Sequence, residues 1–136
     1  MNIKGVIFDN DGCLQCHDPV KGYGDPEDHY YAAFETLAIT FGKHLDKNSE
    51  LRRKVMGIDI RDVGRHMITE LDLPITYAEW KLALDQILLA LAPFAEIGPG
   101  GAELLRTLHA RGIKIGVASS AVEEVLRGKW QRFPDL

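Results

Sequence analysis

Apolar positions along the chain follow two patterns. Residues 3 to 8, IKGVIF, form a short apolar run with β-branched Ile3, Val6 and Ile7, which predicts a strand covered on both faces and ending at Asp9. A second such run, IKIGVAS at residues 113 to 119, follows PGGAELLRTLHARG, in which Leu104, Leu105 and Leu108 fall at helical spacing and Gly112 suits a C-terminal cap. A helix leading into an apolar strand is the repeating unit of a parallel α/β sheet.

Between these runs the pattern is helical. Asp25-Pro26 supplies an N-cap with proline at the first helical position, opening EDHYYAAFETLAITFG with Tyr30, Phe34, Leu37 and Phe41 on one stripe. SELRRKVMG and DIRDVGRHMITELDL predict two more helices, and Thr76-x-x-Glu79 is a capping box for YAEWKLALDQILLALA. The expectation is a discontinuous core, residues 1–14 and 93–136, carrying a helical cap over residues 15–92. The connections HDPVKGYGDP and PFAEIGPGG are dense in Gly and Pro, as hinges and ordinary surface loops both are.

Composition narrows the functional classes. The 136 residues are about one domain, 46% hydrophobic and 26% charged, which fits a soluble globular protein. A net charge of -4 without a dense basic cluster argues against nucleic-acid and anionic-membrane partners. MNIKGVIFDND meets acid too early for a secretory signal, and WKLALDQILLALAPF, interrupted by Lys81, Asp85 and Gln86, reads as a buried helix rather than a span. A cytoplasmic protein is expected.

The stretch FDNDGCLQCH holds two overlapping motifs. Cys13-x-x-Cys16-His17 has the spacing of c-type haem attachment, which requires an exported setting. A zinc site with His29 as fourth ligand, or two reduced cysteines in a loop, are the alternatives. Asp9-x-Asp11-Gly12 puts two carboxylates on one face beyond a strand end, with glycine free to turn the chain. Such a pair suits a hard cation such as magnesium, or a nucleophile beside an acid/base, or simply a turn. Ser119 follows the second strand where it can bind an anionic oxygen, whereas Ser120-x-x-Glu123 reads as a capping box. A carboxylate pair with an anion site points to phosphate chemistry.

GVIFDNDGCL, a helical insertion and GPGGAELLRTLHARGIKIGVASS together resemble the haloacid dehalogenase-like hydrolases: an α/β, Rossmann-like core with an inserted α-helical cap. KVMGIDIRDVGRHMITELDLP resembles the pseudouridine 5′-phosphatase and β-phosphoglucomutase-like branch. The resemblance implies a phosphatase acting on a small phosphorylated metabolite, with Asp9 attacking phosphorus and Asp11 serving as acid and then base. Mg2+ would be held by the Asp9 carboxylate and the Asp11 backbone carbonyl. Ser119 would bind a phosphoryl oxygen, and Ser120, Gly12 and Arg61 are further substrate-binding candidates. Arg61, Arg65 and Lys54 would read substrate from the cap, or be surface charge.

The chain departs from the family pattern in three places. Cys16 stands where an acidic residue usually follows, a place Asp25 takes if residues 15 to 24 are an inserted loop. The family's lysine motif has only a faint counterpart at Lys129 in GKWQRFPDL, where a solvated lysine at a helix end is the plainer reading. No acidic motif follows it, and Asp135 is a poor substitute. A C-terminally truncated core is therefore expected. The competing function is a catalytically incomplete binding module that dimerises through an open sheet edge.

Overall fold

A computed structural model of the chain describes residues 3–16, 26–46 and 48–136, with Pro26 and Glu27 by backbone alone. His17 and Asp25, invoked above as a ligand and as a cap, lie outside the described residues. The elements run β1 (Gly5–Asp9), α1 (Pro26–Thr40), α2 (Glu50–Lys54), α3 (Ile60–Glu70), α4 (Tyr77–Leu91), a 3-10 turn at Ala92–Phe94, α5 (Gly101–Ala110), β2 (Lys114–Ala118) and α6 (Glu123–Trp130). They divide into two compact units, Met1–Tyr30 with Leu89–Leu136, and Tyr31–Leu88.

The helical unit is set by its caps. Ser49 Oγ accepts the Arg52 amide at 3.1 Å to start α2, and Asp59 Oδ1 accepts the Arg61 amide at 2.8 Å to start α3. Ahead of α4 the Thr76 N–H donates to Glu79 Oε2 at 2.8 Å and the Glu79 N–H donates to Thr76 Oγ1 at 3.3 Å, the reciprocal capping box. The Thr76 amide holds the Glu79 carboxyl below its ordinary value. This cap therefore contributes stability at neutral pH that is lost as pH falls through that lowered value. Of the predicted α1 stripe, Phe34 and Leu37 are buried, whereas the helix ends at Thr40 and Phe41 lies past it, half-buried.

Trp80 anchors this unit at 0% exposure, its ring stacked near Phe34 and Tyr77 with centroids 6.1 and 6.0 Å away. Gly64 in α3 lets the helix reach these rings. A Cβ there would lie 2.7 Å from Tyr77 Cδ2 and 2.8 Å from Trp80 Cε3. In an open helix Gly→Ala gains about 1 kcal/mol of propensity, but overpacking a filled core costs about 1–3 kcal/mol. Gly64→Ala is expected to lower the midpoint of thermal unfolding; a raised midpoint would mean that the rings yield.

In the other unit β1 and β2 pair in parallel, in register from Gly5 with Lys114 to Asp9 with Ala118. α5 packs on β2, and α6 packs on the 3-10 turn. The expectation of strands covered on both faces is not met: Ile7 is 76% exposed, Ile3 57%, Val117 38% and Ile115 36%. The described sheet has two strands, and Ile7 faces across to Gly116, which has no side chain to cover it. An apolar run reports a residue preference for a covered strand, not the presence of the cover. Among the described residues no helix is long and apolar enough to cross a membrane.

Candidate active site

The parallel register brings the two strand ends to one edge. Asp9 is the last residue of β1 and pairs with Ala118, the last of β2, so Ser119 leaves the sheet beside Asp9. Asp9 is exposed, and its Oδ1 accepts the Asn10 N–H at 2.8 Å. Gly12 then takes φ +75°, a conformation that costs other residues about 1 kcal/mol or more, and its N–H donates to the Gln15 carbonyl at 2.9 Å. Further bonds from Leu14 N–H to the Asp9 carbonyl and from Gly98 N–H to the Leu14 carbonyl tie the loop to the segment after the 3-10 turn. Residues 10 to 15 are thus a built loop rather than a free turn.

Asp11 receives the site's cation. Lys129 Nζ lies 2.7 Å from Asp11 Oδ1 and 2.8 Å from Oδ2, with side-chain exposures of 1% for the lysine and 18% for the aspartate. The Tyr30 ring sits 5.5 Å from the ammonium. The reading of Lys129 as a solvated helix-end lysine is therefore overturned. Its place in α6, four residues after buried Val125, puts it on the helix's covered stripe, where an ammonium needs a carboxylate partner.

The strand-end serines differ. Ser119 Oγ accepts the Ala121 N–H at 3.1 Å, holding the turn that leads to α6. The capping box expected of Ser120 and Glu123 does not form: α6 starts at Glu123 with Val122 as N-cap and no side-chain bond. Glu123 is therefore the first helical residue, not the third as a box requires, and it pairs with Arg127 instead. Ser120 is exposed.

In the helical unit Arg61 is exposed on α3, Arg65 pairs with Asp62 at 3.2 Å, and Lys54 lies 3.5 Å from both Glu50 and Glu70. Glu50, and then Glu70, raise the Lys54 pKa above its ordinary value, so that charge is already answered within the unit. Cys13 is exposed and Cys16 half-buried, and among the described residues no three His, Cys, Asp or Glu side chains gather as a metal cluster. Sequence reasoning passed over Asn10 and Gln15, both 0% exposed, and Trp130, whose indole N–H donates to Asn10 Oδ1 at 2.8 Å. Polar side chains inside a loop carry no periodic signal, so only the fold reveals their burial.

No protein-family model matches the chain. Over 98% of its length it is 27% identical to a probable pseudouridine-5′-phosphatase of Drosophila melanogaster, covering 53% of that protein. Over 99% it is 28% identical to the mitochondrial (DL)-glycerol-3-phosphatase 1 of Arabidopsis thaliana, covering 42% of it. The chain thus spans about half the length of the curated relatives it matches. It superposes with TM-score 0.70 on a Thermotoga maritima protein assigned as a beta-phosphoglucomutase, at 23% identity over 96% of this chain and 56% of that one. CbbY from Rhodobacter sphaeroides, solved with phosphate, follows at TM-score 0.68 and 20% identity with the same coverage. The fold is haloacid dehalogenase-like. The haloacid dehalogenase-like fold accounts for the α/β pair interrupted by helices, and its relatives are phosphatases by name, of the branch that the α3 region resembles.

Proposed function

We propose that this chain serves a magnesium-dependent phosphatase that hydrolyses a small phosphorylated metabolite through an aspartyl phosphate on Asp9. Residues 1–14 and 93–136 act as its core, and residues 15–92 as its cap. The observation that carries this reading is the shared strand edge, which Asp9 and Ser119 leave side by side, together with the ammonium that Lys129 places on Asp11. Such a combination of nucleophile, hydroxyl and buried cation suits the transfer of a dianionic phosphoryl group. The phosphatase names of the relatives, and the phosphate in the CbbY structure, support the substrate class.

The donor set fits magnesium. Asp9 is an exposed carboxylate, and the Asp11 carbonyl takes no backbone hydrogen bond among the described residues. Mg2+ favours one or two protein oxygens together with water and substrate phosphate, so Asp9 and the Asp11 carbonyl would hold it. When bound, the metal neutralises charge on the transferring group.

The protein's own residues do the rest. Asp9 attacks phosphorus, and Ser119 donates its hydroxyl to a phosphoryl oxygen. Asp11, carrying a proton in place of the Lys129 contact, protonates the leaving oxygen and then takes a proton from the attacking water. Asp11 Oδ1 already receives two donors, Asn10 Nδ2 at 2.6 Å and Lys129, whereas Oδ2 receives Lys129 alone. Oδ2 is therefore the oxygen freer to face substrate, once the lysine contact loosens on that side. Ser120, Gly12 and Arg61 are the remaining substrate-binding candidates, Gly12 through its backbone.

The test is hydrolysis of a generic aryl phosphate by the 136-residue chain with magnesium chloride, against the same reaction in EDTA. Metal-dependent turnover is expected; a folded chain that shows none with either an aryl or a small alkyl phosphate overturns the reading. The open faces of β1 and β2 favour a second reading, a binding module that associates through its sheet as a homodimer. Concentration-dependent sedimentation of an inactive chain would support it, and a monomer would sink it.

A further inference from the structure

We propose that Asn10, Gln15 and Trp130 are positioning residues, a one-directional hydrogen-bond chain that fixes the Asp11–Lys129 pair from behind. The chain starts and ends on consecutive residues at the end of α6. Trp130 Nε1 donates to Asn10 Oδ1 at 2.8 Å, Asn10 Nδ2 donates to Gln15 Oε1 at 3.0 Å, and Gln15 Nε2 donates to the Lys129 backbone carbonyl at 3.0 Å. Asn10 Nδ2 also donates to Asp11 Oδ1 at 2.6 Å. Lys129 Nζ then closes the ring on Asp11.

The polarity of this ring leaves no freedom. An indole N–H can only donate, so the Asn10 oxygen must face Trp130 and its NH2 must face Asp11 and Gln15. A peptide carbonyl can only accept, so the Gln15 NH2 must face Lys129 and its oxygen must face Asn10. Each amide, which elsewhere has two near-equivalent orientations, is locked by a group of single character. Bonds aligned head to tail polarise one another, and Asn10 and Gln15 at 0% exposure meet no competing water. The strand-end loop is thereby held to α6, and the Asn10 amide always presents a donor to Asp11 Oδ1. The catalytic consequence rests on the phosphatase reading; the geometric one does not.

Trp130→Phe keeps an aromatic ring and removes only the N–H that starts the chain. In the 136-residue protein, acetylation of Lys129 by acetic anhydride, read by mass spectrometry, is expected to rise at least about fivefold in this variant. Labelling at exposed Lys114 should stay unchanged. The protein has two tryptophans, and Trp80 Nε1 finds no acceptor among the described residues. In 1H–15N spectra the Trp130 indole proton should lie downfield of the Trp80 proton, and move upfield in Asn10→Ala. With an aryl phosphate, Trp130→Phe should lower kcat about tenfold and leave KM within about twofold.

Unchanged Lys129 labelling in Trp130→Phe together with an unmoved indole signal in Asn10→Ala would overturn the proposal, whatever the activity. An inactive wild-type chain would instead sink the phosphatase reading alone, because labelling and spectra need no turnover. Gln15→Met cuts the ring at another link and carries the same labelling test if Trp130→Phe does not fold.

Discussion

Replacing Lys129 by methionine is expected to destabilise the chain by about 3 kcal/mol, because it strips the partner from a carboxylate that is largely out of water. The substitution keeps the length of the side chain and removes its charge, so packing of the stem is not the main loss. The decisive comparison is a double-mutant cycle. Asp11→Asn alone leaves the ammonium of Lys129, at 1% exposure, without a counter-charge, and should cost as much or more. The double variant Lys129→Met with Asp11→Asn buries no charge and should cost no more than Lys129→Met alone, giving a coupling energy of about 3 kcal/mol. Urea unfolding of the four proteins measures it. If the single variants are as stable as the parent, Lys129 is solvated in solution and the ion pair is not part of the site.

The outcome at Lys129 shows where sequence reading works and where it stops. The helix start at Thr76 was legible because a capping box is local chemistry, spelled out over four residues. The strand ends at Asp9 and Ala118 were legible for a similar reason, since an apolar run of five or six residues stops at the first polar one. Their parallel pairing brings Asp9 and Ser119 together, as expected of an open α/β sheet, whose ligands bind beyond the strand ends. Non-local facts were not legible. Lys129 meets Asp11 across 118 positions, and nothing within GKWQRF reports that the helix turns this residue inward. Ser120 failed in the opposite direction: its motif was intact, but the turn after β2 delays the helix until Glu123, and the motif falls out of register. The cover expected on Ile7 depends on further neighbours that an apolar run cannot supply by itself.

Asp9→Asn and Asp11→Asn should both abolish steady-state hydrolysis, yet fail at different steps, and the difference tests the assignment of roles. In the proposed mechanism Asp9→Asn removes the attacking anionic oxygen, so no covalent phosphate should form with any substrate. Asp11→Asn leaves the nucleophile intact. In the proposed mechanism it removes the proton donor that an alkyl leaving group needs and the base that the second step needs, each worth about 10²–10⁴-fold. An aryl phosphate carries a leaving group that departs readily without protonation. With that substrate Asp11→Asn should still complete the first step and stall at the second, releasing about one equivalent of phenol per site and trapping phosphate on Asp9. A quenched burst and intact-mass measurement would read both. The cost of leaving Lys129 unpaired must be checked alongside, by confirming that Asp11→Asn is folded under the assay conditions. A folded Asp11→Asn that gives neither burst nor adduct, while the parent turns over, would mean that Asp11 is required before phosphorus is attacked. Its role would then be to fix Lys129 and the loop geometry rather than to shuttle protons. An adduct on Asp11 in the Asp9→Asn protein would reverse the two assignments outright.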